Sequence, residues 1–322
     1  MTSTGTPTGT PTGTPTGEPP IVAPPPAPDT PDEAGAATPG PRRAPMALFT
    51  WAFIILVLAI VAVLLVVKVT RGTTAVTPPP VAPASAPIVH AAATVPRTAF
   101  DTVGSPAPDG PGPVVLSGPK PLLIHGLPGV VYVGSEFCPY CAAERWALVV
   151  ALSRFGTFAH LGSTSSSIFE AFPGVETFSF DGATYRSRYV SLSATEEYDE
   201  NLSARSRPGF RLLHHPTALQ QTLMRRYGPE AGDGVGTTLP FVDIGNRVLI
   251  EGAGIGFSPA TLQGLSMGQI ATDLSEPTSA VAQAVLGAAN EITAAICSTT
   301  GGEPTRVCAT PGVRAGASRL GL

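Results

Sequence analysis

Residues 130–150 read Val-Val-Tyr-Val-Gly-Ser-Glu-Phe-Cys-Pro-Tyr-Cys-Ala-Ala-Glu-Arg-Trp-Ala-Leu-Val-Val, and this stretch constrains the fold of the chain more than any other. It opens on a β-branched and aromatic run, which predicts a buried strand. Two cysteines spaced C-x-x-C follow, and then good helix formers with Trp146, Leu148, Val149 and Leu152 as apolar contacts. The order is strand, dithiol, helix. A thiol at a helix N-terminus lies among unpaired N–H groups and the positive end of the macrodipole, which favours its thiolate. Cys138 is expected at that position, with Cys141 nearly one turn further in and within disulfide reach. Pro139 suits the first turn because it has no N–H to leave unpaired.

C-x-x-C is also half of a zinc site, which needs a second ligand pair. The only adjacent partners are His214 and His215, far along the chain and directly before Pro216. An inert structural disulfide is the other bland reading, and a redox dithiol is the favoured one. The chain holds four cysteines in two local pairs, Cys138/Cys141 and Cys297/Cys308, a usage that suits an oxidising compartment. Cys297 and Cys308 enclose a Gly/Pro-rich loop without helix-start geometry, so this pair reads as a structural disulfide in preference to a second redox relay. His125, His160, His214 and His215 read as surface or turn residues, and Asp243 as a local hydrogen-bonding group. No metal site is expected.

The chain has 322 residues, net charge −4 and few charged side chains, so no basic field for nucleic acid exists. Its 36 Pro and 35 Gly concentrate before position 130 and after 300. Residues 1–45 repeat Thr, Pro and Gly, bury almost nothing, and are expected to be a disordered tail. Residues 46–67 form an unbroken apolar run of 22 residues. At 1.5 Å per residue that is about 33 Å, enough to cross a bilayer as a single helix. Basic residues flank both ends equally, Arg42 and Arg43 against Lys68 and Arg71. The cysteines therefore decide the expected orientation: N-terminus in the cytoplasm, the remainder beyond the cell membrane. Residues 68–121 read as a Pro/Ala-rich linker, with one helical turn at Arg97 to Val103.

A single domain is expected over 122–310, with a flexible end over 311–322. Leu122 to Ile124 and Val130 to Val133 predict strands, and a helix runs from the dithiol to about Arg154. Phe155 to Leu161 reads as a strand and Ser163 to Ser167 as a polar loop. Thr177 to Phe180 and Ala183 to Tyr185, joined by Asp181-Gly182, carry a hairpin signal. Tyr189 to Leu192 extends the β character, and Thr195 to Pro208 reads as charged and irregular. Pro216 to Tyr227 predicts a helix. Leu239-Pro240 opens two strands joined at Gly245-Asn246, and a cis bond is expected there. Phe257 to Leu274 predicts a helix begun by Ser258-Pro259, and Glu276-Pro277 starts a last one reaching about Ile296.

The strand–Cys138-Pro139-Tyr140-Cys141–helix unit, followed by Leu239-Pro240, a hairpin and a helix, resembles the thioredoxin superfamily. From about 95 to 310 the chain is more closely similar to an uncharacterised family of prokaryotic, membrane-anchored thioredoxin-like proteins. The likeness is carried by Glu136 to Trp146, Leu152 to Gly156, Pro240 to Asn246 and Ile292 to Cys297. It implies an α/β, thioredoxin-like fold with an insertion between the dithiol helix and the cis-proline strand. It assigns Cys138 as attacking thiol and Cys141 as resolving thiol. It also makes Pro139, Tyr140, Leu239 and Pro240 the substrate-binding residues, with Leu239 presenting backbone groups to a substrate strand. One departure stands out. Many thioredoxins bury an Asp six residues before the first cysteine, where this chain has Tyr132. A proton acceptor for Cys141 is then missing unless Glu136 or water supplies it.

The expected activity is thiol–disulfide exchange with protein dithiol or disulfide substrates and a redox partner, without a cofactor. Two other classes compete: a non-catalytic thioredoxin-like surface binding module, and a chaperone for a soft cation such as Cu(I). The latter would be supported by a Met- or His-rich companion loop, and the chain has four Met in all.

Overall fold

The structure, a computed structural model, describes residues 46–70, 81–117, 120–202, 209–228 and 238–322. The tail over 1–45, part of the linker and of the charged segment, and the Gly-rich residues 229–237 lie outside the described residues. The apolar run is helical: α1 spans Met46–Thr70. Every side chain from 51 to 66 is exposed. Helix α1 falls in a different unit from residues Thr77–Leu322.

The second unit opens with helices α2 (Ala86–Ala93) and α3 (Arg97–Val103) and strands β1 (Val114–Val115), β2 (Leu123–Ile124) and β3 (Leu127–Gly134). Helix α4 (Pro139–Leu152) follows the dithiol. Then come β4 (Gly156–Ala159), β5 (Gly162–Ser165), β6 (Glu176–Ser179), β7 (Thr184–Ser187), β8 (Ser191–Glu196), β9 (Tyr198–Leu202) and β10 (Phe210–Leu212). Helix α5 (Ala218–Tyr227) precedes β11 (Phe241–Ile244) and β12 (Val248–Glu251). Helices α6 (Met267–Asp273), α7 (Ala280–Thr299), α8 (Thr305–Cys308) and α9 (Pro311–Leu320) complete the chain. The result is a mixed α/β architecture.

The principal sheet is mixed, in the order β1-β12-β11-β3-β2, with β8 also paired to β3. Strand β3 runs antiparallel to β11, with Val130 opposite Ile244 and Val133 opposite Phe241, and parallel to β8 from Gly129 to Gly134. Its alternation explains the unbroken apolar run. Val130 and Tyr132 enter the core shared with α4 and α7, while Val131 and Val133 enter a second cluster with Leu223 and Met224 of α5. Helix α7 is long and apolar enough to span a membrane by length and composition, yet most of it is buried. It is the core helix against which α4, α3 and α9 pack.

Several sequence expectations need correction. The linker does not reach residue 121. Phe100 and Val103 of α3 are buried, and Asn290 of α7 donates to the carbonyls of Phe100 (2.9 Å) and Gly104 (2.7 Å). Residues 311–322, expected to be flexible, carry α9. The Asp181-Gly182 turn is present, but β6 and β7 diverge from it: β6 pairs with β5 and β7 with β4. The polar loop at 163–167 is instead largely strand β5, whose inward positions are the small Gly162 and Thr164. The segment from Thr195 to Pro208, expected to be irregular, holds the end of β8 and strand β9, which pairs with β10 just beyond it, and its buried acids are paired. Asp199 accepts from Arg211 Nε at 2.9 Å, and Glu196 from Arg145. The helix expected over 257–274 splits into a 3-10 turn at Pro259–Thr261 and α6. Gly264 adopts a left-handed φ of +78° between them, and Ser266 and Gln269 form a new capping box. Helix α7 starts at Ala280, after the N-cap Ser279 whose side chain accepts the Ala282 N–H, and not at Glu276-Pro277.

Candidate active site

Strand β3 delivers the chain to the dithiol. Gly134 closes the strand against the Tyr132 ring, and a Cβ there would collide with the Tyr132 hydroxyl. Ser135 to Phe137 turn the backbone, and Cys138 becomes the N-cap of α4 with Pro139 at its first position. The Cys138 Sγ accepts the Cys141 N–H at 3.2 Å, so this sulfur occupies one of the unpaired donor positions of the first turn. Its S–H donates to the Leu239 carbonyl at 3.7 Å. Leu239 precedes Pro240 through a cis peptide bond, and Pro240 leads into β11 beside β3. Antiparallel pairing of β3 with β11 thus brings residues 101 positions apart to one point.

The two sulfurs are free thiols and differ in access: Cys138 is 6% exposed and Cys141 is fully buried. Burial pushes the Cys141 thiol well above its ordinary pKa, and the adjacent Cys138 adds to the rise. Arg145 and the Ser135 backbone oppose it. Of the other residues assigned to the site, Pro139 and Pro240 are buried, while Tyr140 and Leu239 are half-buried. Tyr140 meets Phe172 edge to face at 5.9 Å, and Phe137 stacks on Phe210 of β10 at 4.2 Å. Ser167 N–H donates to the Phe137 carbonyl, so the segment between β5 and β6, together with β10, flanks the dithiol.

Beneath the thiols lies a charged network that sequence reading does not assign. Arg145, one turn beyond Cys141 on α4, is fully buried. Its Nη1 donates to Glu196 Oε2 (2.8 Å), the Tyr132 hydroxyl (3.2 Å) and the Ser135 carbonyl (3.4 Å). Tyr132 in turn donates to Glu196 Oε2 at 3.4 Å. Burial alone would lower the guanidinium pKa, but Glu196, Tyr132, Cys141 and Glu136 together outweigh it and the net shift is upward, which keeps Arg145 charged. Burial raises the Glu196 carboxyl, and Arg145 and the Phe180 N–H oppose that rise. Glu136 accepts from Ser179 (2.6 Å) and Thr164 (3.4 Å), and burial pushes its pKa up to about 8. The one available signal was the pair Glu144-Arg145, two charges inside an otherwise apolar helix. Glu196 lies in the segment read as charged and irregular.

The remaining sequence candidates fall elsewhere. Cys297 and Cys308 are joined in a disulfide that ties the end of α7 to α8. His125 and His160 sit at left-handed turn positions, and His214 contacts Asp181 at 2.7 Å. Asp243 accepts the Asn246 N–H within the β11–β12 turn. A cavity of about 250 Å³ lined by Pro106, Asp109, Ile255, Gly287 and Glu291 includes none of the dithiol residues. Among the described residues no group of three or more His, Cys, Asp and Glu is placed to hold a metal ion.

Residues 114–298, more than half of the chain, match the model of a family described as a domain of unknown function, DUF929. No curated protein and no solved structure matches the chain.

Proposed function

The chain belongs to the DUF929 family, and from that premise we propose that it is a membrane-anchored, extracytoplasmic thiol–disulfide oxidoreductase of thioredoxin-like fold. The observation that carries this reading is the position of Cys138. It caps α4, accepts the Cys141 N–H, and contacts the carbonyl that precedes a cis-proline. Strand, dithiol, helix, then cis-proline, hairpin and α7 follow the thioredoxin order. On this reading residues 153–238 carry the insertion, and part of it flanks the thiols through Phe172, Tyr198 and Phe210.

In the proposed reaction the Cys138 thiolate attacks one sulfur of a substrate disulfide and expels the other as a thiolate. Cys141 then attacks the Cys138 sulfur of the mixed disulfide and releases the substrate as a dithiol. Two electrons pass to the substrate, and the reverse sequence oxidises a substrate dithiol. The half-buried Tyr140 and Leu239 supply the surface next to the reacting sulfur, with Pro139 and Pro240 shaping it from beneath.

Helix α1 supplies the anchor in this reading, because exposed apolar side chains from 51 to 66 are costly in water and favourable in lipid. A disulfide at Cys297–Cys308 persists best outside the cytoplasm, and this supports the reading with the N-terminus inside. A second reading, a surface module that binds partners without exchange, is favoured by the slight exposure of Cys138, 6%. Insulin reduction or scrambled-ribonuclease refolding by residues 77–322 separates the two. Turnover abolished by Cys138→Ser is the expected result; no turnover by the unmutated protein rejects exchange. Thiol labelling of intact cells tests sidedness.

A further inference from the structure

Cys141 must give up its proton to resolve a mixed disulfide, yet it is fully buried, and a thiolate there needs a compensating charge. The groups facing it are few. On α4 they are Cys138 and Arg145; on β3 and the turn after it, Tyr132 and Ser135; Glu196 of β8 approaches through Arg145. The i, i+4 spacing of Cys141 and Arg145 puts both on one face of the helix.

Arg145 is also under-used as a structural residue. Its Nη1 makes three hydrogen bonds, while Nε and Nη2 are buried with no partner. Orphaned guanidinium donors in a closed interior are expensive, and a buried ion pair is weak as a source of stability. Donors left open on the same helix face, one turn from a sulfur that must become an anion, are explained if the anion is their partner.

We propose that Arg145, held in register by Glu196 and Tyr132, is the positioning residue that supplies the counter-charge for the Cys141 thiolate. The proposal rests on reading Cys138–Cys141 as an exchanging pair. In the resolving step the Cys141 S–H bond breaks and its sulfur forms a bond to Cys138. The Cys138–substrate S–S bond breaks, and the departing substrate thiolate ends with the proton. Arg145 exchanges no atom. It stabilises the sulfur while the charge is on it, and Glu196 keeps the guanidinium from being an uncompensated charge in the resting thiol state.

The test is titration of the ¹³Cβ signal of Cys141 in a Cys138→Ala background, which requires no exchange activity. Arg145→Met is expected to raise the midpoint by at least one pH unit, a tenfold loss of thiolate at fixed pH. Glu196→Gln, nearly isosteric, is expected to shift it in the opposite direction, because Arg145 then faces the sulfur alone. Unchanged midpoints, or shifts of the same sign in both variants, overturn the proposal. Should Arg145→Met not fold, Glu196→Gln decides: a lower midpoint supports the proposal, and an unchanged or higher one refutes it. With Cys138 restored, release of a small aromatic thiol trapped on Cys138 should slow about tenfold in Arg145→Met at neutral pH. Opposite shifts in the titration with no exchange by the unmutated protein would retain the counter-charge and reject the oxidoreductase.

Discussion

The carbonyl oxygen of Leu239 lies 3.7 Å from the Sγ of Cys138, and the peptide bond that follows Leu239 is cis. On the proposed reading, a substrate chain would run past residue 239 on the outer side of that sulfur. The two thiols are therefore expected to be unequal. Cys138 should react with iodoacetamide at least tenfold faster than Cys141, since only Cys138 reaches the surface. Cys141→Ser should accumulate a mixed disulfide on Cys138 after incubation with a small disulfide, whereas Cys138→Ser should form none. Intact-mass measurement reads both. Faster labelling of Cys141 would reverse the assigned roles.

Glu144 stands in the helix between the dithiol and Trp146, fully buried, with neither carboxylate oxygen hydrogen-bonded. Burial raises its pKa well above the ordinary carboxylate value, and the nearby Glu291 adds to that rise. An isolated polar group of this kind costs folding energy, and replacing it with an apolar side chain of similar volume removes the cost. Glu144→Met should stabilise residues 77–322 by roughly 1–3 kcal/mol in urea unfolding. A loss of stability would mean that the carboxyl is satisfied by a group such as a bound water.

The strand–dithiol–helix unit was legible because every local signal agreed: β-branched residues before, a proline at the first helical position, and apolar helix formers after. The β11–β12 hairpin was legible from Pro240 and the Gly245-Asn246 turn for the same reason. What failed was partner choice. Asp181-Gly182 announces a turn, but nothing in Thr177 to Tyr185 says that β6 will pair with the serine-rich β5. Buried charge was equally hidden. Arg145 and Glu196 are 51 residues apart, and each is a polar residue until parallel pairing of β3 with β8 brings them together. Residues 68–121 read as a linker because of their Ala and Pro content, whereas Phe100 and Val103 fill the space beside α7.

The Cys297–Cys308 disulfide closes a loop with a sequence separation of 11, worth about 3 kcal/mol in the chain-entropy account. It joins α7, the helix on which most of the core is assembled, to α8. Cys297→Ser/Cys308→Ser should lower the unfolding free energy by about that amount and leave insulin reduction intact. A loss of turnover with little loss of stability would make this pair a redox relay.

Stability should fall as the pH rises from about 5 to 8. Burial pushes Glu136 up to about 8, Glu197 to about 7 and Asp243 to about 6, all above the values these groups have in an unfolded chain. Between the unfolded and folded values the native state binds more protons than the unfolded state. The slope of unfolding free energy against pH is then negative, and the native state is penalised as these carboxyls are forced to ionise. Below about pH 4 both states are protonated at these sites and the penalty vanishes. Of the three, Glu136 titrates highest, so Glu136→Gln should flatten the curve between about pH 6 and 8 and raise Tm most at pH 8. In a domain of this size each kcal/mol corresponds to about 2–4 °C. Thermal unfolding followed by circular dichroism at half-unit pH steps measures this. A Tm that climbs through the same interval would show that these carboxyls are ionised and paired in the native protein.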